Sequence, residues 1–317
     1  MKKLLGLAAF LVVLYVAMLA ADDSARSLSN HLNLGKRIGL YGIISLGAGM
    51  LIISGGIDLS IGSVVGFCAT IMALLLVRFH WHPAAATAAV LATGAAIGLM
   101  NGLVVTKLRV QAFVVTLCGL FIYRGAARWL AGDKVQGLGN AFPEWKYWLA
   151  KSRDVLGLPM SLVIFLALAA VATVFLHFSI HGRYLYAIGS NEQAARYAGV
   201  PTDRYRILAY VLCSTLAAFF SVLFLMEENS VQPSSTGNFF ELYAIAGAVL
   251  GGCSLRGGEG SVLGILIGTA IIRILPTFTQ MWKVASSLEY TVIGGALLLG
   301  ALLDEFLRRR AEKGGGR

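Results

Sequence analysis

The chain has 317 residues, of which 57% are hydrophobic and 13% are charged, and its mean hydropathy is +0.76. This composition excludes a water-soluble globular domain and indicates a polytopic membrane protein. A net charge of +10 would suit a nucleic-acid partner, but Lys and Arg of membrane proteins collect on the cytoplasmic side, so we expect a lipid bilayer and no nucleic acid. The four cysteines form no CxxC pair, which predicts packing residues and no metal site or cofactor.

Ten apolar segments are long enough to cross or enter a bilayer, and each is predicted to be a helix because backbone groups in hydrocarbon must bond within the chain. The predicted spans are 4–20, 38–54, 60–77, 84–106, 113–131, 158–178, 207–226, 240–251, 261–280 and 288–303. The predicted fold class is therefore all-α, a polytopic transmembrane bundle of about ten spans in one domain, 1–317. We interpret the first span as a retained helix, with a cleaved signal peptide as the alternative.

Two of these spans, 38–54 and 240–251, are short, and a glycine pair follows each. Short, glycine-interrupted segments are typical of broken helices beside a transport pathway. The two glycine-rich loops that follow, beginning at Gly55 and Gly251, also resemble each other, as in an internal repeat. The predicted topology places both loops on the same side, so either the match is accidental or one short segment does not cross fully.

The distribution of Lys and Arg predicts the orientation of the chain in the membrane. With Lys2 and Lys3 inside, fourteen Lys and Arg residues fall in inner segments and nine in outer segments, so both termini are predicted to be cytoplasmic. The tail 304–317 is then a basic cytoplasmic tail. The inner connector 179–206 contains a helix start at Ser190-Asn191-Glu192 and a stop at Gly199. Such a charged connector is a docking element or a lipid-surface helix.

Asp58 is the most informative single residue, because a carboxylate beside a span costs several kcal/mol unless it is partnered or wet. It either caps the helix that follows or serves a pathway, and the two roles are compatible. Arg124 and Arg128 share one helix face. Both long side chains can reach the outer interface, and the alternative is that Arg124, which lies deeper in the helix, pairs with Asp58 or Glu241.

No GxxxxGK[ST] phosphate loop occurs in the sequence, and nothing in it resembles a nucleophile with its base. If the chain moves a solute uphill with ATP, the ATPase is another polypeptide. The absence of a nucleophile with its base also disfavours an enzyme embedded in the membrane.

Four sets of motifs occur in a fixed order between about residues 39 and 303. They are Gly55-Gly56-Ile57-Asp58-Leu59-Ser60-Ile61-Gly62-Ser63; Val110-Gln111-Ala112-Phe113 with Thr116-Leu117 and Arg124-Gly125; Gly182-Arg183-Tyr184 with Gly189, Asn191-Glu192, Arg196 and Gly199; and Glu241-Leu242 with Leu250-Gly251-Gly252 and Gly257-Gly258. In these motifs the chain resembles the membrane-spanning permease subunits of bacterial ABC importers for sugars of the ribose, xylose and galactose type. One departure is Tyr243, where that family commonly has Asp.

The resemblance implies a permease subunit, not an enzyme, that carries a monosaccharide across the bacterial inner membrane. It implies two ATP-binding subunits, a second permease chain (identical or a sister) and a periplasmic or extracellular sugar-binding protein. The candidate translocation-path residues are Asp58, Ser60, Gln111, Arg124 and Glu241. The candidate ATPase-coupling residues are Gly182, Arg183, Tyr184, Gly189, Asn191, Glu192, Arg196 and Gly199. The alternative is an ion-coupled secondary transporter of a small polar solute, with Asp58 as its coupling acid.

Overall fold

The computed structural model describes residues 2–146, 149, 157–283, 288, 291, 292, 294, 295 and 298. Twelve helices and one two-stranded ribbon occur in this part of the chain. The helices are α1 (Lys2–Ala21), α2 (Leu28–Ile53), α3 (Ile61–Val77), α4 (Pro83–Thr106), α5 (Ala112–Ala131), α6 (Pro143–Lys146), α7 (Met160–Thr173), α8 (Ile180–Ser190), α9 (Glu192–Tyr197), α10 (Thr202–Glu228), α11 (Phe240–Leu250) and α12 (Val262–Met281). The strands β1 (Gln136–Gly137) and β2 (Ser230–Val231) pair antiparallel.

Seven helical segments of the described chain are long and apolar enough to cross a membrane, one of them formed by α7 and the π-helix Val174–Phe178 that continues it, and α3 and α11 are shorter apolar helices. The all-helical polytopic class is therefore confirmed. The predicted span 288–303 is described only in part, and the predicted tail 304–317 lies outside the described residues.

The prediction of a short span at 38–54 is wrong, because α2 begins ten residues earlier and has 26 residues. The Ser27 side chain caps this helix by accepting from the Asn30 backbone N–H at 3.2 Å. The polar stretch that follows stays helical, and Lys36 within it forms an ion pair with Glu227 of α10. The second short span is confirmed, since α11 has only 11 residues.

Small residues allow α4 and α10 to pack backbone against backbone. Gly94, Gly98 and Gly102 lie on one face of α4, four residues apart. A Cβ on Gly98 would lie 2.5 Å from the Tyr210 carbonyl oxygen and 2.6 Å from the Val211 Cα. This close approach is the packing that glycine permits in membrane helices, and it fixes α10 beside the polar groups described below.

The bundle has two distinct ends. At the first, the end of α2 meets the loop before α12, because Gly258 N–H donates to the Ile53 carbonyl at 2.9 Å. The α8–α9 connector lies there too, since the Tyr186 hydroxyl donates to the Gly260 carbonyl at 2.9 Å. We call this the connector end. The opposite end carries the β1–β2 ribbon, and we call it the ribbon end.

Candidate functional site

The turn between α2 and α3 is centred on Asp58, which is only 2% exposed. Its Oδ1 accepts from the Ser60 backbone N–H at 2.7 Å and from the Ser60 hydroxyl at 2.5 Å. Ser60 is the residue before α3, so Asp58 stabilises the turn that leads into the helix and does not bond the N–H groups of its first turn. Asp58 Oδ2 is buried and has no partner among the described residues.

Three helices contribute polar groups to this turn. Asn101 of α4 donates to the Ser60 hydroxyl at 3.4 Å, and the Tyr123 hydroxyl of α5 donates to Asn101 Oδ1 at 2.9 Å. From α10, the Tyr210 hydroxyl donates to the Ile57 carbonyl at 3.3 Å. Sequence reasoning missed these three residues. The signal that points to Asn101 is its amide within an apolar span, where an unbonded polar group is costly. We call Asp58, Ser60, Asn101 and Tyr123 the Asp58 cluster.

The segment 232–239, which joins β2 to α11, enters the bundle and packs on α3. Arg124 of α5 holds it, with Nη1 donating to the Pro233 carbonyl at 3.2 Å and to the Thr236 carbonyl at 2.5 Å. Gly66 of α3 makes room, since a Cβ there would lie 2.6 Å from the Thr236 carbonyl oxygen and 2.9 Å from Arg124 Nη1. Arg124 therefore anchors a loop by its carbonyls, and no ion pair joins it to Asp58 or Glu241.

Glu241 lies in the first turn of α11 and is 8% exposed. A Cβ on Gly62, in the first turn of α3, would overlap the Glu241 carboxylate and the Gly237 carbonyl. The N-termini of two helices therefore approach one buried carboxylate, an arrangement that the positive ends of the helix dipoles favour.

Four of the five candidate path residues lie beside α3, and Gln111 does not. Asp58 and Ser60 bond each other, and Arg124 and Glu241 both contact the glycine face of α3. Gln111 instead precedes α5 at the connector end, where it lines a cavity described below.

The predicted connector helix is confirmed as α9. Asn191 Oδ1 caps it by accepting from the Ala194 N–H at 2.9 Å, and Gly199 ends it with a φ of +83°. Sequence reasoning missed α8, which precedes it, and α10 begins at Thr202, within the predicted connector 179–206. In α8, Gly182 packs against the Leu176 carbonyl, the Tyr184 ring meets the Tyr205 ring edge-on at 5.0 Å, and Arg183 is exposed.

Three glycine-bearing segments meet where α8 reaches the rest of the bundle. A Cβ on Gly189 would overlap the Ile53 carbonyl and the Gly258 N–H. A Cβ on Gly257 would lie 2.7 Å from the Gly189 carbonyl oxygen and 2.9 Å from the Gly55 Cα. We call Gly55, Gly189, Gly257 and Gly258 the glycine junction. It joins the connector by direct backbone contact to both loops that follow the glycine-pair motifs.

Ion pairs reinforce the same end of the bundle. Glu192 of α9 pairs with Arg196 at 3.2 Å and with Arg206 of α10 at 2.8 Å. Asp203 of α10 pairs with Arg196 at 3.2 Å and with Lys107, after α4, at 2.6 Å. Each exposed pair contributes only about 0.2–1 kcal/mol, but together they tie α9 to α4 and α10.

A cavity of about 540 Å³ lies beside this network. Its lining includes Arg109 and Gln111 from the α4–α5 turn, Glu192 and Arg196 from α9, and Arg206 from α10. It opens at the connector end, away from the Asp58 cluster.

Tyr243, the departure noted in the sequence, faces Arg273 of α12. The Arg273 guanidinium carbon lies 4.2 Å from the centre of the Tyr243 ring and 3.9 Å from the centre of the Tyr41 ring. Two aromatic rings therefore hold a buried cation by cation–π contact.

A helical bundle with a short helix, buried polar groups at helix N-termini and a charged connector defines the class of membrane transport proteins. The chain belongs to the family described as the branched-chain amino acid transport system permease component, whose model matches residues 30–302. It is a transport subunit and not an enzyme.

Three relatives of the chain are import permease proteins. The ribose import permease protein RbsC of Escherichia coli K12 is 33% identical over 93% of this chain and 91% of its own length. RbsC of Bacillus subtilis is 32% identical over 96% of this chain and 93% of its own length. The autoinducer 2 import system permease protein LsrC of an Enterobacter species is 36% identical over 84% of this chain and 76% of its own length. No solved structure matches the chain.

Proposed function

We propose that this chain is the membrane-spanning subunit of an ATP-driven importer and that its solute is a monosaccharide. The observation that carries the solute class is the similarity to two ribose import permeases, each over more than nine-tenths of the chain. The buried polar groups suit this solute, because hydroxyl and amide side chains both donate to and accept from sugar hydroxyls, and carboxylates accept from them.

In this proposal the connector end faces the cytoplasm and both termini are cytoplasmic. The excess of Lys and Arg in segments assigned to that side supports the orientation. Ten crossings fit it, comprising the seven long helices, the shorter α3 and α11, and the segment 288–303. The basic tail 304–317 then lies in the cytoplasm of a bacterial cell, beneath the inner membrane.

The proposed assembly contains two ATP-binding subunits, a second permease chain that is a copy or a sister, and an external sugar-binding protein. The chain has no phosphate loop of its own, which supports a separate ATPase. Residues 179–206 form the proposed docking element, with α9 exposed on its outer face.

The proposed coupling runs through the glycine junction. A movement of the bound ATPase that displaces α9 would also displace α8. Gly189 of α8 is in backbone contact with the loops after α2 and α11. The first loop leads to Asp58, and the second begins where α11, the helix of Glu241, ends. A displacement of the connector would therefore reach both buried carboxylates through rigid backbone rather than flexible side chains.

The path itself is assigned to Asp58, Ser60 and Glu241, which lie at or beside breaks between helices, and to Arg124 of α5, which holds the segment 232–239. The unpartnered Oδ2 of Asp58 is available to a solute hydroxyl. Gln111, by its position, belongs with the docking surface.

Reconstituted uptake tests this function. The chain would be placed in proteoliposomes with its partner ATPase and sugar-binding protein, and uptake of radiolabelled ribose and other monosaccharides would be measured. We expect uptake that requires ATP and the binding protein and that does not respond to imposed proton or sodium gradients.

The unpartnered Asp58 oxygen favours one alternative, an ion-coupled transporter with Asp58 as the coupling acid. Gradient-driven uptake by the chain alone, insensitive to ATP, would establish that alternative and reject the importer.

A further inference from the structure

The cavity at the connector end has an excess of positive charge. Its lining contains three arginines, Arg109, Arg196 and Arg206, and two acids, Glu192 and Asp203. Both acids are already engaged, because Glu192 pairs with Arg196 and Arg206, and Asp203 pairs with Arg196 and Lys107. Neither acid forms an ion pair with Arg109, although the Arg109 charge is near enough to Asp203 to add a weak attraction.

Arg109 is exposed and forms no ion pair or side-chain hydrogen bond with any residue that the structure describes. Its backbone has a φ of +56°, in the left-handed region that favours glycine. An arginine with no role beyond filling the turn would have no advantage over glycine in this backbone conformation. The Arg109 side chain instead lines the cavity, together with Gln111.

Large apolar side chains surround the same cavity. Tyr197 of α9, which lines it, is 91% exposed, and Leu108, which is outside the lining but precedes Arg109 in the chain, is 70% exposed. Val110, also in the lining, is exposed as well. Apolar side chains that rim an unpaired cation are typical of a protein interface, where apolar contact supplies affinity and charge supplies register.

We propose that this cavity is a second docking point for the ATPase, occupied by a carboxylate-bearing side chain of that subunit that pairs with Arg109. The proposal rests on the proposed function. It extends the docking surface from α9 to the turn 107–111, which joins α4 to α5. The cavity is continuous with the proposed dock, since Glu192 and Arg196 of α9 form one of its walls.

The ATPase would then contact two elements of the chain at the same time. One is α9, which leads through α8 to the glycine junction. The other is the turn between α4 and α5, the helices that carry Asn101 and Tyr123 of the Asp58 cluster. The cavity lies between these two elements, so an occupant that enters it would fix the distance between them.

The test is the affinity of the purified full-length chain in nanodiscs for its purified partner ATPase subunit. R109E reverses the charge, and R109K keeps it. R109G removes the side chain while suiting the left-handed backbone. Arg78→Glu is the matched control, because Arg78 is an exposed arginine in the turn after α3, away from the cavity. Thermal unfolding of each variant checks the fold.

We expect R109E to weaken binding by about tenfold or more and R109K by less than about threefold. R109G should weaken binding without lowering the unfolding temperature. R78E should bind as the wild type does. Unchanged affinity in R109E would overturn the proposal, even if ATP-dependent uptake by the wild type upholds the importer.

A lipid surface is the rival occupant. Flotation of the detergent-solubilised chain with vesicles of phosphatidylglycerol or of phosphatidylcholine distinguishes it. If R109E loses binding to anionic vesicles but keeps its affinity for the ATPase, the cavity is a headgroup site and the proposal is wrong. If the wild type fails to bind the ATPase at all, the proposal and the proposed function both fail.

Discussion

The two ends of the bundle are joined in different ways. At the connector end, three segments of the chain meet through glycine backbones, so close that an added Cβ would overlap a neighbouring carbonyl. At the ribbon end, the described contacts are a pair of two-residue strands, side-chain interactions and one close glycine contact, in which a Cβ on Gly39 of α2 would overlap the Leu162 nitrogen in the first turn of α7. Examples of the side-chain interactions are the Trp282 indole bonded to the Ala17 carbonyl at 3.2 Å and the Arg128–Asp133 ion pair at 2.6 Å.

The difference matters for how motion is transmitted. Backbones in van der Waals contact move together, because packed interiors have little free volume to absorb a shift. Exposed ion pairs and short ribbons yield easily and contribute little to stability. We therefore expect the connector end to pass a displacement on and the β1–β2 ribbon, which lies outside the tight contact of α2 with α7, to tolerate one.

Gly189→Ala should produce the largest effect. Its methyl group would overlap the Ile53 carbonyl and the Gly258 N–H, so the connector must move away from both loops. We expect ATP-dependent uptake to fall by about tenfold or more, with overpacking lowering the unfolding free energy by about 1–3 kcal/mol.

Gly125→Ala is the matched control for that substitution. Gly125 is also helical, but a Cβ there has no neighbour within 4 Å, so uptake and stability should stay near wild type. Equal losses in the two alanine variants would show that the glycine junction has no special role.

Asp58 gives a smaller, graded effect. In D58N the amide oxygen can still accept from the Ser60 N–H and hydroxyl, so the turn and most of the uptake should persist. D58A leaves those donors unpaired and should cost about 1–3 kcal/mol of stability, together with uptake. The two variants would be compared by thermal unfolding and by reconstituted transport. A well-folded D58N without uptake would contradict this and favour a coupling acid.

The ribbon end should give the smallest effect. Arg128 donates two hydrogen bonds to Asp133 and holds the pKa of that carboxyl below its usual 3.8. A lowered carboxyl pKa contributes stability above the usual pKa, and that stability is lost as the pH falls through the lowered value.

Asp133→Asn should therefore leave the unfolding temperature nearly unchanged between pH 5 and 8, because the exposed pair is screened by solvent. Wild type and variant would be compared in melts down to pH 3, and the small advantage of the wild type should shrink as the pH falls below 3.8. A large loss of uptake in D133N at pH 7 would show that the ribbon end is not the tolerant end.

Much of the fold could be predicted from the sequence. Long apolar runs with few charges permit only helices in a bilayer, and the Asn191 cap and Gly199 stop define α9 by local chemistry alone. The prediction failed at α2, where polar residues suggested a loop. Lys36 stays in that helix because of Glu227, which is almost two hundred residues away, and no local pattern reveals such a pair.

The candidate site was predictable only in part. Asp58 and Glu241 are conspicuous as acids at the edges of apolar runs. The partners of Arg124 were not predictable, because backbone carbonyls of the segment 232–239 have no sequence signature. The glycine junction was not predictable either, because backbone contacts between distant segments have no sequence signature. Gly189 looks like an ordinary loop residue until the fold brings it against Ile53 and Gly258.

The central claim is that the connector and the glycine loop before α12 move as one body during the ATP cycle. Two spin labels can test it, at Tyr197 on α9 and at Leu255 on the loop, both well exposed. The background would carry Cys118→Ser, since Cys118 is exposed and the other three cysteines are buried. A third site, Val135 beside β1, reports on the ribbon end.

Distances would be measured by pulsed electron resonance in the assembled transporter, nucleotide-free and with ATP trapped. We expect the 197–255 distance to stay constant between the two states while the 197–135 distance changes. A 197–255 distance that shifts or broadens on ATP trapping would show that the glycine junction slips, and would contradict coupling through it.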